Sequence, residues 1–386
     1  MKLELITDFE WLDSNQDHWN DLAANADCRG IAGNQVSGRN QNWKGFPFYR
    51  WEWLGTWFKE MVDGQPYVLL ATDDDGQWLG LAPFFIESSA LQNRLCLWGS
   101  GTTCTDYMGL ISTESATANF ALAVSDWLTK ETRAGGKLAS IDVVELEGGT
   151  EQMNSTQQLD VALDANGFKR YDDELEGCWV VELDSDWRVL ESKLSKSMRR
   201  KTKKATKRIN DEATTIRSTE SFPLSELWSE FVRLHQHRRE SLGQPGCFAD
   251  PAFERFLKSA TESLVAQGQA ELIVIDFEDE ALAAMLLFND GVTNYMYQSG
   301  ADIDRMKLEP GYQMVYLAIL SSLKQNLSRF DFLRGDEPYK ARWNTERIPL
   351  LRTRWIPRKL TAIFKQNLWL TGRSIKRYLH RTTIAE

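Results

Sequence analysis

Two stretches of this chain present the same elements in the same order, and a repeat of that kind restricts the fold more than any composition figure. In the first stretch, residues 67–71 read as a strand, Asp73-Asp74-Asp75-Gly76 as a turn, and 78–86 and 94–98 as two further strands, the last closing at Gly99-Ser100-Gly101. A helix is expected from about Asn119, because Phe120, Val124, Trp127 and Leu128 fall on one helical face, and 140–146 is the closing strand. In the second stretch, 271–277, 282–288 and 293–298 read as strands, the last ending at Ser299-Gly300. Residues 311–325 then form a helix apolar almost all round, and 329–334 a strand. On this reading Gly101 matches Gly300 and Asp142 matches Asp331, with one connection longer in the first stretch. The spacing predicts a structural duplication.

A chain of 386 residues has room for two domains, each able to bury a core without disulfide staples. Residues 1–10 carry acids where a signal peptide needs an apolar stretch, and the longest apolar runs are too short to span a bilayer. Five cysteines with no CxxC pair suit a reducing cytoplasm, and neither they nor the four histidines form a zinc set, so no metal is expected. Neither GxGxxG nor GxxxxGK[ST] occurs, which leaves dinucleotide and P-loop folds without support.

The second stretch ends in Phe330-Asp331-Phe332-Leu333-Arg334-Gly335-Asp336-Glu337-Pro338-Tyr339-Lys340-Ala341-Arg342-Trp343. This resembles the signature of CelD-like acetyltransferases, a branch of the GNAT acyltransferases found beside cellulose and exopolysaccharide synthesis functions. Trp53-Leu54 with Trp57, Gly80-Leu81-Ala82-Pro83, Thr105-Asp106-Tyr107, Met198-Arg199-Arg200 and Pro310-Gly311 agree with it, over roughly residues 46–354. The resemblance implies an α/β (α+β) chain of two tandem GNAT-like domains, each a mixed, largely antiparallel sheet flanked by helices. The divisions expected are 1–185 on the acceptor side, 186–360 on the acyl-donor side and 361–386 as a basic amphipathic helix. The tandem plan also resembles FemAB-like peptidyltransferases, whose donor is aminoacyl-tRNA. Ordinary GNAT enzymes carry (Q/R)xxGx(G/A) before the central helix; here that loop, 305–312, holds one glycine.

The resemblance implies acetyl-CoA or another acyl-CoA as donor, and a helix N-terminus is where such a donor's phosphates would find free N–H groups and a favourable dipole. Pro310 suits the first helical turn and Gly311 lets a phosphate approach the backbone, with Lys307 and Arg305 adding charge. Tyr297 and Tyr312 complete the expected donor set. Asp336, Tyr339 and Lys340 are the catalytic candidates: a carboxylate base, a proton donor for the leaving thiolate and a cation for the carbonyl oxygen. A plain turn at 335–338 is the alternative for Asp336. Asp106, Tyr107 and Arg334 are assigned to the acceptor. His235 and Arg238, three apart on one helix face, are candidates to hold a phosphate or carboxylate, with His235 titrating near neutrality; a solvated or capping role near the helix C-terminus is the alternative. Six of the fifteen tryptophans fall in the first 60 residues; core packing or a sugar-stacking platform would each use them.

The net charge of −10 conceals a segregation. Residues 188–208 carry ten basic residues and one acid, and 352–386 carry nine and one. The first run reads as a single helix and is a candidate for tRNA or another anionic ligand through Arg199, Arg200, Lys203, Lys204 and Arg208. The tail after Thr361 reads as a basic amphipathic helix, a candidate for the inner membrane surface or for packing against the second domain. The function expected is acyl transfer from acyl-CoA to an amine or hydroxyl of a saccharide or cell-envelope precursor, in the cytoplasm or at the membrane's inner face. Aminoacyl-tRNA-dependent peptidyl transfer and a catalytically silent scaffold for polysaccharide machinery are the alternatives.

Overall fold

A computed structural model describes residues 1–31, 43–184 and 186–383, with side chains as far as residue 372. The predicted strands and helices form within a few residues of their expected limits. The run Glu280–Asn289 is almost wholly apolar because it is buried on both faces. Helix Pro310–Lys324 lies against it with Met314, Val315, Ala318 and Ile319 buried.

The first sheet runs, in spatial order, Lys2–Ile6, Tyr67–Thr72, Trp78–Ser88, Asn93–Leu97, Val143–Gly149, Leu351–Ile356 and Lys169–Glu174. The second runs Glu346–Ile348, Cys178–Glu182, Arg329–Arg334, Thr293–Ala301, Glu280–Asn289, Ala270–Phe277 and Thr214–Ser218. Both are antiparallel except at one place, and it is the same place. Asn93–Leu97 pairs in parallel with Val143–Gly149, and Thr293–Ala301 with Arg329–Arg334. Each parallel connection passes through a helix, Thr117–Glu131 in the first half and Pro310–Lys324 in the second.

The shared topology also corrects the alignment of the two halves. Both parallel ladders hold three residue pairs, and the third is Cys96 with Glu145 in one and Tyr295 with Asp331 in the other. The counterpart of Asp331 is therefore Glu145, not Asp142, which lies one residue before the first ladder begins.

Each half lends the other a strand. Cys178–Glu182 inserts into the second sheet, and Leu351–Ile356 into the first. One hydrophobic core consequently takes in side chains from Ile6 to Trp355, and a second lies beneath helix Pro310–Lys324.

The first basic segment is two helices, not one. Trp187–Lys193 ends where Leu194 and Ser195 turn extended, and the Ser195 hydroxyl caps the next helix by accepting from Met198 N at 3.3 Å. In this second helix, Lys196–Ile209, Met198, Thr202 and Ala205 are buried while Arg199, Arg200, Lys203, Lys204 and Lys207 face solvent. Among the described residues no helix is long and apolar enough to cross a membrane.

Candidate functional site

The site arises where the second parallel ladder stops. Beyond Tyr295 and Asp331 the two strands no longer pair. Both are distorted there: Tyr297 has no residue opposite it on Glu280–Asn289, and the pairing of Arg329–Arg334 with Cys178–Glu182 slips between Asp331 and Arg334. Leu333 takes φ +53 and Gly335 φ +132, a backbone that favours glycine at the second position. Two cavities open at this divergence. One, of about 560 Å³, is mostly apolar and is lined by Met285, Met296, Met314, Val315 and the helix start at Gly311 and Tyr312. The other, of about 490 Å³, is polar and takes in Cys104, Asp106, Glu176, Arg334, Asp336, Glu337 and Lys340. Arg238, Met296, Ser299 and Tyr339 line both, so the two spaces adjoin.

At the apolar end, Pro310 is buried at the first helical position, and a Cβ added at Gly311 would have no neighbouring atom within 4 Å. The residue before them, Glu309, adopts φ +53 and makes no capping hydrogen bond with its side chain. Its carboxylate is held instead by Lys201 at 2.8 Å and Arg208 at 3.1 Å, and the Lys201 hydrogen bond lowers its pKa. Lys201 also lies 3.9 Å from the centre of the Tyr312 ring. The basic helix thus braces the loop before the central helix. Lys307 is exposed and does not line the cavity, though its carbonyl accepts from Arg208 at 3.0 Å.

Tyr339, Lys340 and Asp336 come together in the polar cavity, each with partners that define what it can do. Burial raises the pKa of Tyr339, which keeps the phenol protonated at neutral pH. Lys340 is buried, and its Nζ donates to the carbonyls of Leu333 at 3.1 Å and Arg334 at 2.9 Å, with Glu337 at 3.0 Å. It clamps the irregular turn that follows the strand. Asp336 accepts from Arg347 at 2.9 and 3.1 Å and from Trp179 Nε1 at 3.1 Å. The Arg347 hydrogen bond holds its carboxyl below the usual range, which suits an anchor better than a proton acceptor.

The residues that the sequence assigned to an acceptor join the two halves. Asp106, buried in the first-half loop, takes Arg334 Nε at 2.8 Å and Arg334 N at 2.9 Å. Tyr107 lies beneath the cavity rather than in it: fully buried, it donates to Asp331 at 2.7 Å. Tyr297 lines the polar cavity, but its hydroxyl donates to the Thr103 carbonyl at 2.8 Å and its ring packs on Trp53 and Phe288. His235 and Arg238 do not converge. His235 is buried against Phe248, away from the cavity lining, and burial pushes it down to about 4, so it stays neutral where titration near neutrality was expected. Arg238 is exposed at the junction of the two cavities, with no ion pair among the described residues.

Of the two uses expected for the N-terminal tryptophans, core packing is the one found: Trp53 and Trp57 are buried, which excludes a sugar platform there. Their Nε1 groups donate to Thr105 Oγ1 at 3.2 Å and Thr103 Oγ1 at 2.7 Å, fixing the loop that walls the polar cavity. Two features escaped sequence reasoning. Asp331 is fully buried, and burial pushes its carboxyl up to about 7 despite hydrogen bonds from Tyr107 and Leu333 N. Glu176 lines the polar cavity and forms no ion pair among the described residues. A solitary glutamate between two strands carries no sequence signal.

Residues 192–341 match a family described as acetyltransferase (GNAT) domain. Among solved structures, FemX is 13% identical, with 96% of this chain and 99% of that chain covered at a TM-score of 0.60. A conserved protein of unknown function from Bacteroides thetaiotaomicron VPI-5482 is 12% identical, with 92% and 100% covered at a TM-score of 0.55. A search of curated proteins finds no match. At these identities the structural likeness establishes the fold, and with the matched domain it supports a GNAT-type transferase.

Proposed function

We propose that the chain transfers an acyl group from acyl-CoA, acetyl-CoA being the smallest such donor, to an amine or hydroxyl of a saccharide or cell-envelope precursor. The observation that carries this reading is the pair of adjoining cavities, one apolar at a helix N-terminus and one polar between the halves. The apolar space suits a donor's thioester arm, with Gly311 and the helix start receiving its phosphates and Tyr312 beside them. Pro310 sets that helix start, and Lys307 contributes charge from the loop. The polar space suits the acceptor, with Arg238 free to meet an anionic group on it.

In this scheme Glu176 takes the proton from the attacking amine or hydroxyl, the C–O or C–N bond forms at the carbonyl carbon, and the C–S bond breaks. Tyr339 gives its proton to the leaving thiolate. Asp336 and Lys340 act as positioning residues, the first through Arg347 and the second by fixing the carbonyls of Leu333 and Arg334. The CelD-like resemblance of 330–343 supports a saccharide acceptor.

The second reading, an aminoacyl-tRNA donor, is favoured by one specific feature: the solvent-facing row Arg199, Arg200, Lys203, Lys204 and Lys207 beside the donor cavity, in a fold similar to FemX. Calorimetry with acetyl-CoA, longer acyl-CoAs and bulk tRNA separates the two. The acyl-CoA reading expects saturable binding of a CoA ester. Failure of every CoA ester to bind would overturn it. Salt-sensitive tRNA binding lost on neutralising Arg199, Arg200, Lys203 and Lys204 would establish the alternative.

A further inference from the structure

The C-terminal helix, Leu360–Thr383, has two unlike faces over its described side chains. One face is anchored. Ala362 and Gln366 are fully buried, Gln366 accepts from Gln92 at 3.4 Å, and Lys365 pairs with Asp142 at 2.8 Å. The Trp369 ring covers the buried Arg354 guanidinium at 3.8 Å. The other face is apolar and uncovered. Leu360, Phe364 and Leu368 are spaced four apart, hence in one stripe, and are 88%, 69% and 50% exposed. The first two are the most exposed large apolar side chains among the described residues. The stripe's exposed neighbours, Thr361, Asn367 and Thr371, are uncharged.

We propose that this face docks on an anionic lipid surface, the helix lying in the plane of the bilayer interface. Besides Lys365, which Asp142 neutralises on the anchored face, the helix sequence contains Arg373, Lys376, Arg377 and Arg381 and no acid, in a chain whose net charge is −10. An apolar stripe on a helix of one charge sign is the pattern that partitions into a headgroup region of opposite sign. Self-association through the same face would bring two cationic helices together, which electrostatics opposes. The helix is not apolar enough to span the membrane, so the contact is peripheral. This inference does not depend on the choice of donor.

The test is flotation of the full chain with vesicles of phosphatidylcholine, with and without phosphatidylglycerol, for the wild type and for Phe364→Glu combined with Leu368→Glu. Both positions are exposed, so the variant is expected to unfold at the wild-type temperature. The wild type should associate with the anionic vesicles and release with added salt, and the double variant should bind at least about tenfold more weakly. Equal flotation of wild type and variant would overturn the proposal, as would no association with anionic vesicles. A wild-type dimer in sedimentation that the double substitution dissociates, without vesicle binding, would assign the face to a second copy instead.

Discussion

The two halves share a topology yet differ at the place where the fold offers a cleft. In the second half the loop before the central helix, 302–309, stays at least partly exposed, and the helix opens onto a cavity through Gly311. In the first half the loop 105–110 packs down beside the parallel ladder, and the open space lies instead before the helix, a cavity of about 820 Å³ lined by His18, Arg29, Trp78, Thr113 and Ser115. Thr105, Asp106, Tyr107, Met108 and Leu110 are all buried, and Tyr107 N donates to the Gly148 carbonyl at 2.6 Å, tying the loop to the closing strand. At the start of helix Thr117–Glu131, where the second half leaves room for an anionic ligand, the buried Asp27 carboxylate already accepts from Thr117 at 3.2 Å and Asn154 at 2.7 Å. One copy of the fold keeps the cleft beside its ladder. The other fills that place and uses the filling, through Asp106 with Arg334 and Tyr107 with Asp331, to build a wall of its neighbour's. A duplicated fold can thus yield one site at the ladders rather than two.

The largest test of this division is in the filled loop. Asp106→Ala removes the buried partner of Arg334, and breaking a buried pair costs about 3–5 kcal/mol. Asp304→Ala, in the open loop with its side chain 81% exposed, should change stability by under about 0.5 kcal/mol. Urea denaturation of the two variants compares them. Similar costs would mean that both loops are free in solution.

Acidity probes the buried groups on either side of the join. Asp331 has a folded pKa of about 7 against 3.8 unfolded, so the folded chain holds a proton that the unfolded chain has released between those values. Stability from this group is fully present below the unfolded pKa and is lost as pH rises toward 7. Asp290, raised by burial to about 6, acts in the same direction. His235 acts oppositely: with its folded pKa near 4, its contribution is present above 6.5 and is lost as pH falls. These slopes offset each other in the wild type. Asp331→Asn should make the chain more acid-sensitive, with the stability difference between pH 4.5 and pH 7.5 shifting by about 3 kcal/mol. An unchanged pH profile would show that Asp331 is ionised in the folded chain.

At the helix starts, Gly311→Leu projects into open space and should weaken acetyl-CoA binding by about a hundredfold, with little change in unfolding temperature. Ala118→Leu, also exposed one residue into the first-half helix, should leave binding as it was. Equal losses would place a donor in both halves.

The strands and helices were legible because alternation and 3.6-residue periodicity are local properties of the sequence. The motif 330–340 also gathers in one place, since Arg334, Asp336, Tyr339 and Lys340 all line one cavity. What stayed hidden depends on distant partners. Nothing local in 178–182 or 351–356 says that these strands cross into the other sheet. Lys340 reads as a free cation until the carbonyls of Leu333 and Arg334 are seen beneath it. His235 reads as a titrating ligand on a polar face until Phe248 and the backbone at Gly300 close over it; a Cβ at Gly300 would sit 2.4 Å from His235 N. For Trp53 and Trp57 core packing holds and the sugar-platform alternative does not, a choice that only burial could make.

The smallest expected effect bears on the second-half helix start. Glu309 stands before Pro310 with a carboxylate that would repel a phosphate, were it not paired with Lys201 and Arg208. Both pairs are partly exposed, so they contribute under about 1 kcal/mol to stability. Glu309→Gln removes the negative charge and frees two cations near the apolar cavity, of which Lys201 lines it. Binding of acetyl-CoA should then tighten by a fewfold, the gain shrinking as salt is raised, while unfolding moves little. At the first-half helix start the nearby carboxylate is buried and comes from a distant segment: Asp27→Asn loses the bidentate pair with Arg29 and should cost more stability than Glu309→Gln, without changing donor affinity. Weaker donor binding in Glu309→Gln would mean that Lys201 and Arg208 serve the site only when Glu309 orients them, which would make that carboxylate part of the cradle rather than a guard at its edge.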